Sequence, residues 1–173
     1  QSKREFIEYT SSSINTKGKH AWLYGRFEIR AKIQTESGLW PAIWFLGEEG
    51  EWPKNGEIDL MEYYRGMILA NAAWATNDRN KALWDDKKIP MAYFNDVNWQ
   101  EKFHIWRMDW DEEFIKLYLD DELLNTIDLS QTINPRGVIL RNPFHQPQYL
   151  LLNLAIGGIQ GGDPSSTDFP AQY

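Results

Sequence analysis

The segment Gly25 to Ile33, GRFEIRAKI, constrains the fold most, because Phe27, Ile29, Ala31 and Ile33 alternate with Arg26, Glu28, Arg30 and Lys32. Successive side chains of a strand point to opposite faces, so the pattern predicts one apolar face and one charged face, as in a half-solvated antiparallel strand. Phe103 to Asp109 and Phe114 to Leu119 read as further strands, with Glu112-Glu113 as the turn between them and Asp120-Asp121 as the next turn. Tyr149 to Ile156, YLLLNLAI, is nearly all apolar, which suits a strand buried on both faces or a bulged one. No amphipathic run of several turns carries both a cap and a stop. Short strands punctuated by Gly, Asn and Pro predict an all-β chain folded as a sandwich or jelly roll. Lys81 to Asn98 is the least regular stretch and is expected to be a long loop.

At 173 residues the chain is expected to be a single domain, residues 1–173, with a substantial core. Nine Trp, eight Tyr and eight Phe exceed what such a core needs, so some aromatic rings are expected to face solvent or ligand. A formal net charge of -7 without a run of Lys or Arg excludes the basic stripe that nucleic acid requires. The absence of cysteine excludes disulfides, zinc-thiolate sites and thiol nucleophiles. No apolar stretch is long enough for a transmembrane helix.

The stretch Gly56 to Tyr64, GEIDLMEYY, sets three carboxylates at spacings of two and then three, which neither a straight strand nor a helix accounts for. A β-bulge at Leu60-Met61 resets the alternation and puts Glu57, Asp59 and Glu62 on one face. Glu57 and Glu62 would then stand about 13 Å apart at their Cα atoms, and side chains leaning together could close to the roughly 5 to 5.5 Å used by retaining glycosidases. Mutual repulsion on such a face holds protons on part of the cluster, so one carboxyl can donate a proton while another stays ionised. The alternative is a solvated acidic strand edge.

The neighbouring tryptophans favour chemistry. Gly38 to Gly47, GLWPAIWFLG, carries Trp40 and Trp44, Trp52 follows, and Trp74 lies on the expected next strand. Sugar C–H faces stack on indole rings, while sugar hydroxyls need carboxylate and amide partners, so an acidic cleft walled by these four residues points to carbohydrate.

These residues resemble the family 16 glycoside hydrolases, whose signature is E-I-D-hydrophobic-M-E on a bulged strand after a G-x-W-P-A-x-W segment. Tyr9 to Ile33 and Gln148 to Gly158 extend the resemblance over nearly the whole chain. The bulged form is similar to the laminarinase, agarase and carrageenase branch. The resemblance implies a concanavalin-like jelly-roll sandwich with an open cleft, acting on β-1,3 or mixed β-1,3/1,4 glucan by a retaining endo mechanism. It implies Glu57 as nucleophile, Glu62 as acid/base, Asp59 as the assisting carboxyl, and Trp40 and Trp44 as lining on the non-reducing side. An agarase- or porphyranase-type galactan hydrolase and a non-catalytic lectin-like module are the alternatives. The family's early strands and its final V-D-Y-V-R-V-Y strand have no counterpart here, so the domain is expected to lack them. Ala72-Ala73-Trp74 stands where many laminarinases carry a histidine, which implies an altered subsite wall.

Further candidate substrate contacts are Arg65, a basic residue three positions beyond Glu62, and Asn153, His145 and Gln160. His20, His104 and His145 form no H-x-x-x-H pair, so no metal site is expected among them. No organic cofactor is expected, and the resemblance allows a structural calcium. A monomer acting on a polysaccharide, in an extracellular or periplasmic location, completes the expectation.

Overall fold

The computed structural model describes residues 8–78, 81–135, 137–138 and 141–171. Ten strands follow in order: β1 Ser12–Asn15, β2 Gly25–Ala31, β3 Leu39–Gly47, β4 Glu57–Tyr64, β5 Met67–Ala75, β6 Ala82–Pro90, β7 His104–Trp110, β8 Phe114–Leu119, β9 Glu122–Asp128 and β10 Gln148–Ile156. They form a six-stranded sheet ordered β1-β10-β3-β4-β5-β6 and a four-stranded sheet ordered β2-β7-β8-β9, with antiparallel pairing throughout. The two pack as a jelly-roll sandwich, as the sequence predicts.

Local chemistry explains the connections. Arg65 and Gly66 join β4 to β5 with φ of 50° and 75°, and Asp120 and Asp121 join β8 to β9 with φ of 46° and 69°. Two central residues at positive φ make the type I′ turn, whose twist matches that of the flanking strands. Between β7 and β8, Asp111 Oδ1 accepts the backbone N–H groups of Glu113 and Phe114, both at 2.8 Å, closing the predicted turn.

Phe45, Ile58, Leu60, Met61 and Ile68 of the larger sheet face Trp106, Met108, Ile115 and Leu117 of the smaller across the core. Each such side chain contributes about 1.5–3 kcal/mol on burial. Because this face of the larger sheet is fully used, its opposite face is left to form the floor of a cleft.

One expectation is corrected. Much of Lys81 to Asn98 is not a loop, because Ala82–Pro90 pairs with β5 at nine successive positions and 3₁₀ turns follow at Met91–Phe94 and Trp99–Glu101. As an edge strand β6 is solvated on both sides, and its charges obscure the alternation that reveals β2.

Candidate active site

The bulge predicted in β4 is present. Asp59 pairs with Trp44 of β3 and Asn71 of β5, and Glu62 pairs with Ala42 and Leu69, while the register shifts between them on both sides. Leu60 and Met61 are both buried in the core, and Glu62 returns to the face of Glu57 and Asp59. Gly56, at φ 74°, enters the strand where an added Cβ would come within 2.8 Å of Pro143 Cβ.

A recess of about 480 Å³ is lined by Trp40, Trp44, Trp52, Asn153 and all three carboxylates. A second, of about 460 Å³, shares Trp40, Trp52, Glu57 and Glu62 with the first and continues over β5 and β6 past Tyr64, Asn71, Trp84, Asp86, Lys88 and Gln160. Together they make an open groove running across the strands, with the carboxylates at its middle.

Each carboxylate has its own partners. Trp52 donates its indole N–H to Glu57 Oε2, and Trp40 donates to Glu62 Oε1 at 2.7 Å. Asp59 receives a long bond from Asn71 Nδ2 at 3.4 Å. Burial raises the Glu57 carboxyl above its ordinary range, while hydrogen bonds from Trp52 and Asp59 oppose the rise. Burial, then the charges of Glu57 and Glu62, drives Asp59 well up, which favours its protonated form, and a side-chain hydrogen bond joins it to Glu57. Burial pushes Glu62 up to about 7 against the bond from Trp40. The three groups therefore differ in proton affinity although they share one strand face.

The surroundings hold these groups in place. Trp44 Nε1 donates to Asn153 Oδ1 at 2.6 Å, which fixes both across the β3–β10 pair. The loop carrying Trp52 is pinned by Gln146 and Asn55: Glu49 N–H donates to Gln146 Oε1 at 2.9 Å, Gln146 Nε2 to Asn55 O at 3.0 Å, and Asn55 Nδ2 to Gly47 O at 3.0 Å.

Three proposed substrate contacts fall elsewhere. Trp74 belongs to the core at 8% exposure, because Leu69, Asn71 and Ala73 are the β5 residues paired with the carboxylates and Trp74 falls on the opposite face. His145 is exposed on a loop, edge-on to Tyr24, with Nε2 3.2 Å from the Glu112 carbonyl oxygen. Arg65 sits in the β4–β5 turn and donates to Ile159 O at 2.5 Å, so it ties down the short helical turn Gly158–Gly161 that presents Gln160 to the groove. The cation that lines the groove is Lys88.

Sequence reasoning missed Tyr64, Asn71, Trp84, Asp86 and Lys88. Trp84, Asp86 and Lys88 are spaced by two, and that alternation was the one available signal for their shared face. Among the described residues no group of three or more Asp, Glu or His side chains is gathered to hold a metal ion. No helix among them is long and apolar enough to cross a membrane.

The model of the glycosyl hydrolases family 16 matches residues 2–170. A β-glucanase of Rhodothermus marinus is 35% identical over 95% of this chain and 59% of its own length. A β-1,3-glucan-binding protein of Penaeus monodon is 34% identical over 90% of this chain and 48% of its own length. The X-ray structure of the laminarinase from Rhodothermus marinus superposes with a TM-score of 0.78 at 34% identity, covering 98% of this chain and 69% of that one. The chain thus spans roughly half the length of these two curated relatives.

Proposed function

The chain belongs to the family 16 glycosyl hydrolases, and on that premise we propose that it is a retaining endo-hydrolase of β-1,3 or mixed β-1,3/1,4 glucan. The observation that carries the reading is the unequal treatment of Glu57 and Glu62 on one face of one bulged strand. Glu57 accepts bonds from Trp52 and Asp59 that favour its ionised form, as a nucleophile needs. Glu62, held up to about 7, keeps a proton to donate.

In the first step a Glu57 oxygen bonds to the anomeric carbon as the glycosidic C–O bond breaks, and Glu62 gives its proton to the departing oxygen. Asp59, protonated, keeps its hydrogen bond to Glu57 and limits the charge that gathers among the three groups. In the second step Glu62, now ionised, takes a proton from water, whose oxygen bonds to the anomeric carbon and releases Glu57. Net retention at that carbon follows from two displacements. A groove open across the sheet admits an internal segment of a polymer, which supports endo action. Polymeric glucan is met outside the cytoplasm, so the same reading locates the protein in an extracellular or periplasmic space, acting as a monomer.

The similarity to a glucan-binding protein supports a second reading, in which the groove holds β-1,3-glucan without cutting it. Release of reducing ends from laminarin, mixed-linkage glucan and agarose, measured for the native protein and a folded Glu62→Gln variant, separates the two. Release from the β-1,3-containing glucans alone that vanishes in the variant is expected. Release from agarose alone would shift the substrate to a galactan, and binding of laminarin without release would leave the second reading.

A further inference from the structure

Strand β6 sets, two strands away, one residue in register with each member of the acidic face. Through β5, Glu62 lies in register with Leu69 and then Lys88, Asp59 with Asn71 and then Asp86, and Glu57 with Ala73 and then Trp84. With about 4.8 Å between neighbouring strands, each row sets its β4 and β6 members about 10 Å apart at their Cα atoms. Glu62, Tyr64, Asp86 and Lys88 line the same recess. Lys88 Nζ is held by Asp86 Oδ2 at 2.6 Å, and both side chains keep solvent contact, at 49% and 41% exposure.

The groups that face Glu62 are few. On its own strand they are Glu57, Asp59 and Tyr64, and on β6 they are Lys88 and Asp86. β3 offers the uncharged Trp40 indole, and β10 offers Asn153 and Ala155. Lys88 is therefore the single cation lining this part of the groove among the described residues.

We propose that Lys88, tethered by Asp86, is a positioning residue that sets how tightly Glu62 holds its proton. The inference rests on the role given above to Glu62. A cation at this distance favours the carboxylate, offsetting part of what burial and Glu57 impose, so the same group can donate a proton in the first displacement and accept one in the second. The tether matters as much as the charge. A lysine free to swing would meet Glu62 directly, and a direct ion pair would hold Glu62 ionised and remove the acid. Asp86 keeps the ammonium within electrostatic reach of Glu62 but short of contact.

The two partners therefore carry opposite signs. Lys88→Met raises the Glu62 midpoint by about half a pH unit, the size expected of one charge acting across a partly solvated groove. Asp86→Asn frees Lys88 and lowers the midpoint. Lys88→Arg keeps it near the native value. At about 1 M salt the difference between native and Lys88→Met shrinks, because these charges are screened.

The experiment is carbon NMR of the native protein and the three variants, with glutamate labelled at the side-chain carboxyl and the Glu62 resonance assigned through Glu62→Gln. The pH dependence of kcat/KM on laminarin is measured in parallel. Opposite shifts in Lys88→Met and Asp86→Asn, followed by the alkaline limb of kcat/KM, support the proposal. An unmoved or lowered Glu62 midpoint in Lys88→Met overturns it. The NMR titration reads Glu62 whether or not glucan is cut, so failure of the hydrolase reading shows separately, as absence of reducing ends from the native protein.

Discussion

Trp40 and Glu62 are joined by an indole N–H donated to Oε1 at 2.7 Å, so a ring that walls the groove also grips the carboxyl at its centre. The bond favours the ionised form of Glu62, and burial favours the protonated form and prevails.

Trp40→Phe removes the donor and keeps most of the ring. Glu62 then loses a bond to its charged form, so its proton is held more tightly and the alkaline limb of kcat/KM moves up. An acid no longer oriented toward the leaving oxygen also works less well, so kcat falls by roughly tenfold or more. A pH series of initial rates on laminarin measures both effects.

The native profile itself carries a prediction. Glu62 must be protonated for the first displacement and releases its proton near 7. Activity therefore declines as pH rises through about 7. The acid limb, set by Glu57, lies above the ordinary carboxylate range because burial raises that group. Rates from pH 4 to 9 at substrate well below KM test this.

Stability depends on the same proton. In the folded protein Glu62 titrates at about 7 against an ordinary value of 4.5, so between these limits the folded state binds more protons than the unfolded chain. The stability contributed by this proton is thus full below about 4.5 and is lost as pH rises through about 7. Glu62→Gln removes this dependence and is expected to be more stable than the native protein at pH 8, by on the order of 2 kcal/mol. Urea denaturation of both proteins at pH 5 and pH 8 provides the comparison.

On the proposed mechanism Asp59 serves as a hydrogen-bond donor to Glu57 rather than as a charge. Asp59→Asn keeps a donor of the same size toward Glu57, whereas Asp59→Ala removes it and leaves a gap beside a buried carboxylate. The asparagine variant is expected to retain at least tenfold more kcat than the alanine variant. Equal activity in the two would assign Asp59 to packing alone.

The legible parts of the sequence were those where water marks one face. GRFEIRAKI shows its period because Arg26, Glu28 and Arg30 are exposed while Phe27, Ile29 and Ala31 are half-buried. The bulge in GEIDLMEYY was legible for the same reason, since carboxylates at Glu57, Asp59 and Glu62 do not belong in a core. Trp74 was not, because eight of the nine residues of β5 are buried and both faces read as apolar. Only the pairing of Glu57 with Ala73 tells which face Trp74 takes. Trp84 was missed for the opposite reason: β6 is polar on both faces, and its place in the groove follows from its pairing with Ala73, a partner distant in sequence.

Double displacement through Glu57 and Glu62 leaves its signature in the anomeric configuration of the first product. Proton NMR of laminarin digestion, followed within minutes of mixing, is expected to show the β-anomer first, with the α-anomer growing later by mutarotation. The α-anomer appearing first would mean a single displacement by water, with no bond formed between Glu57 and the sugar.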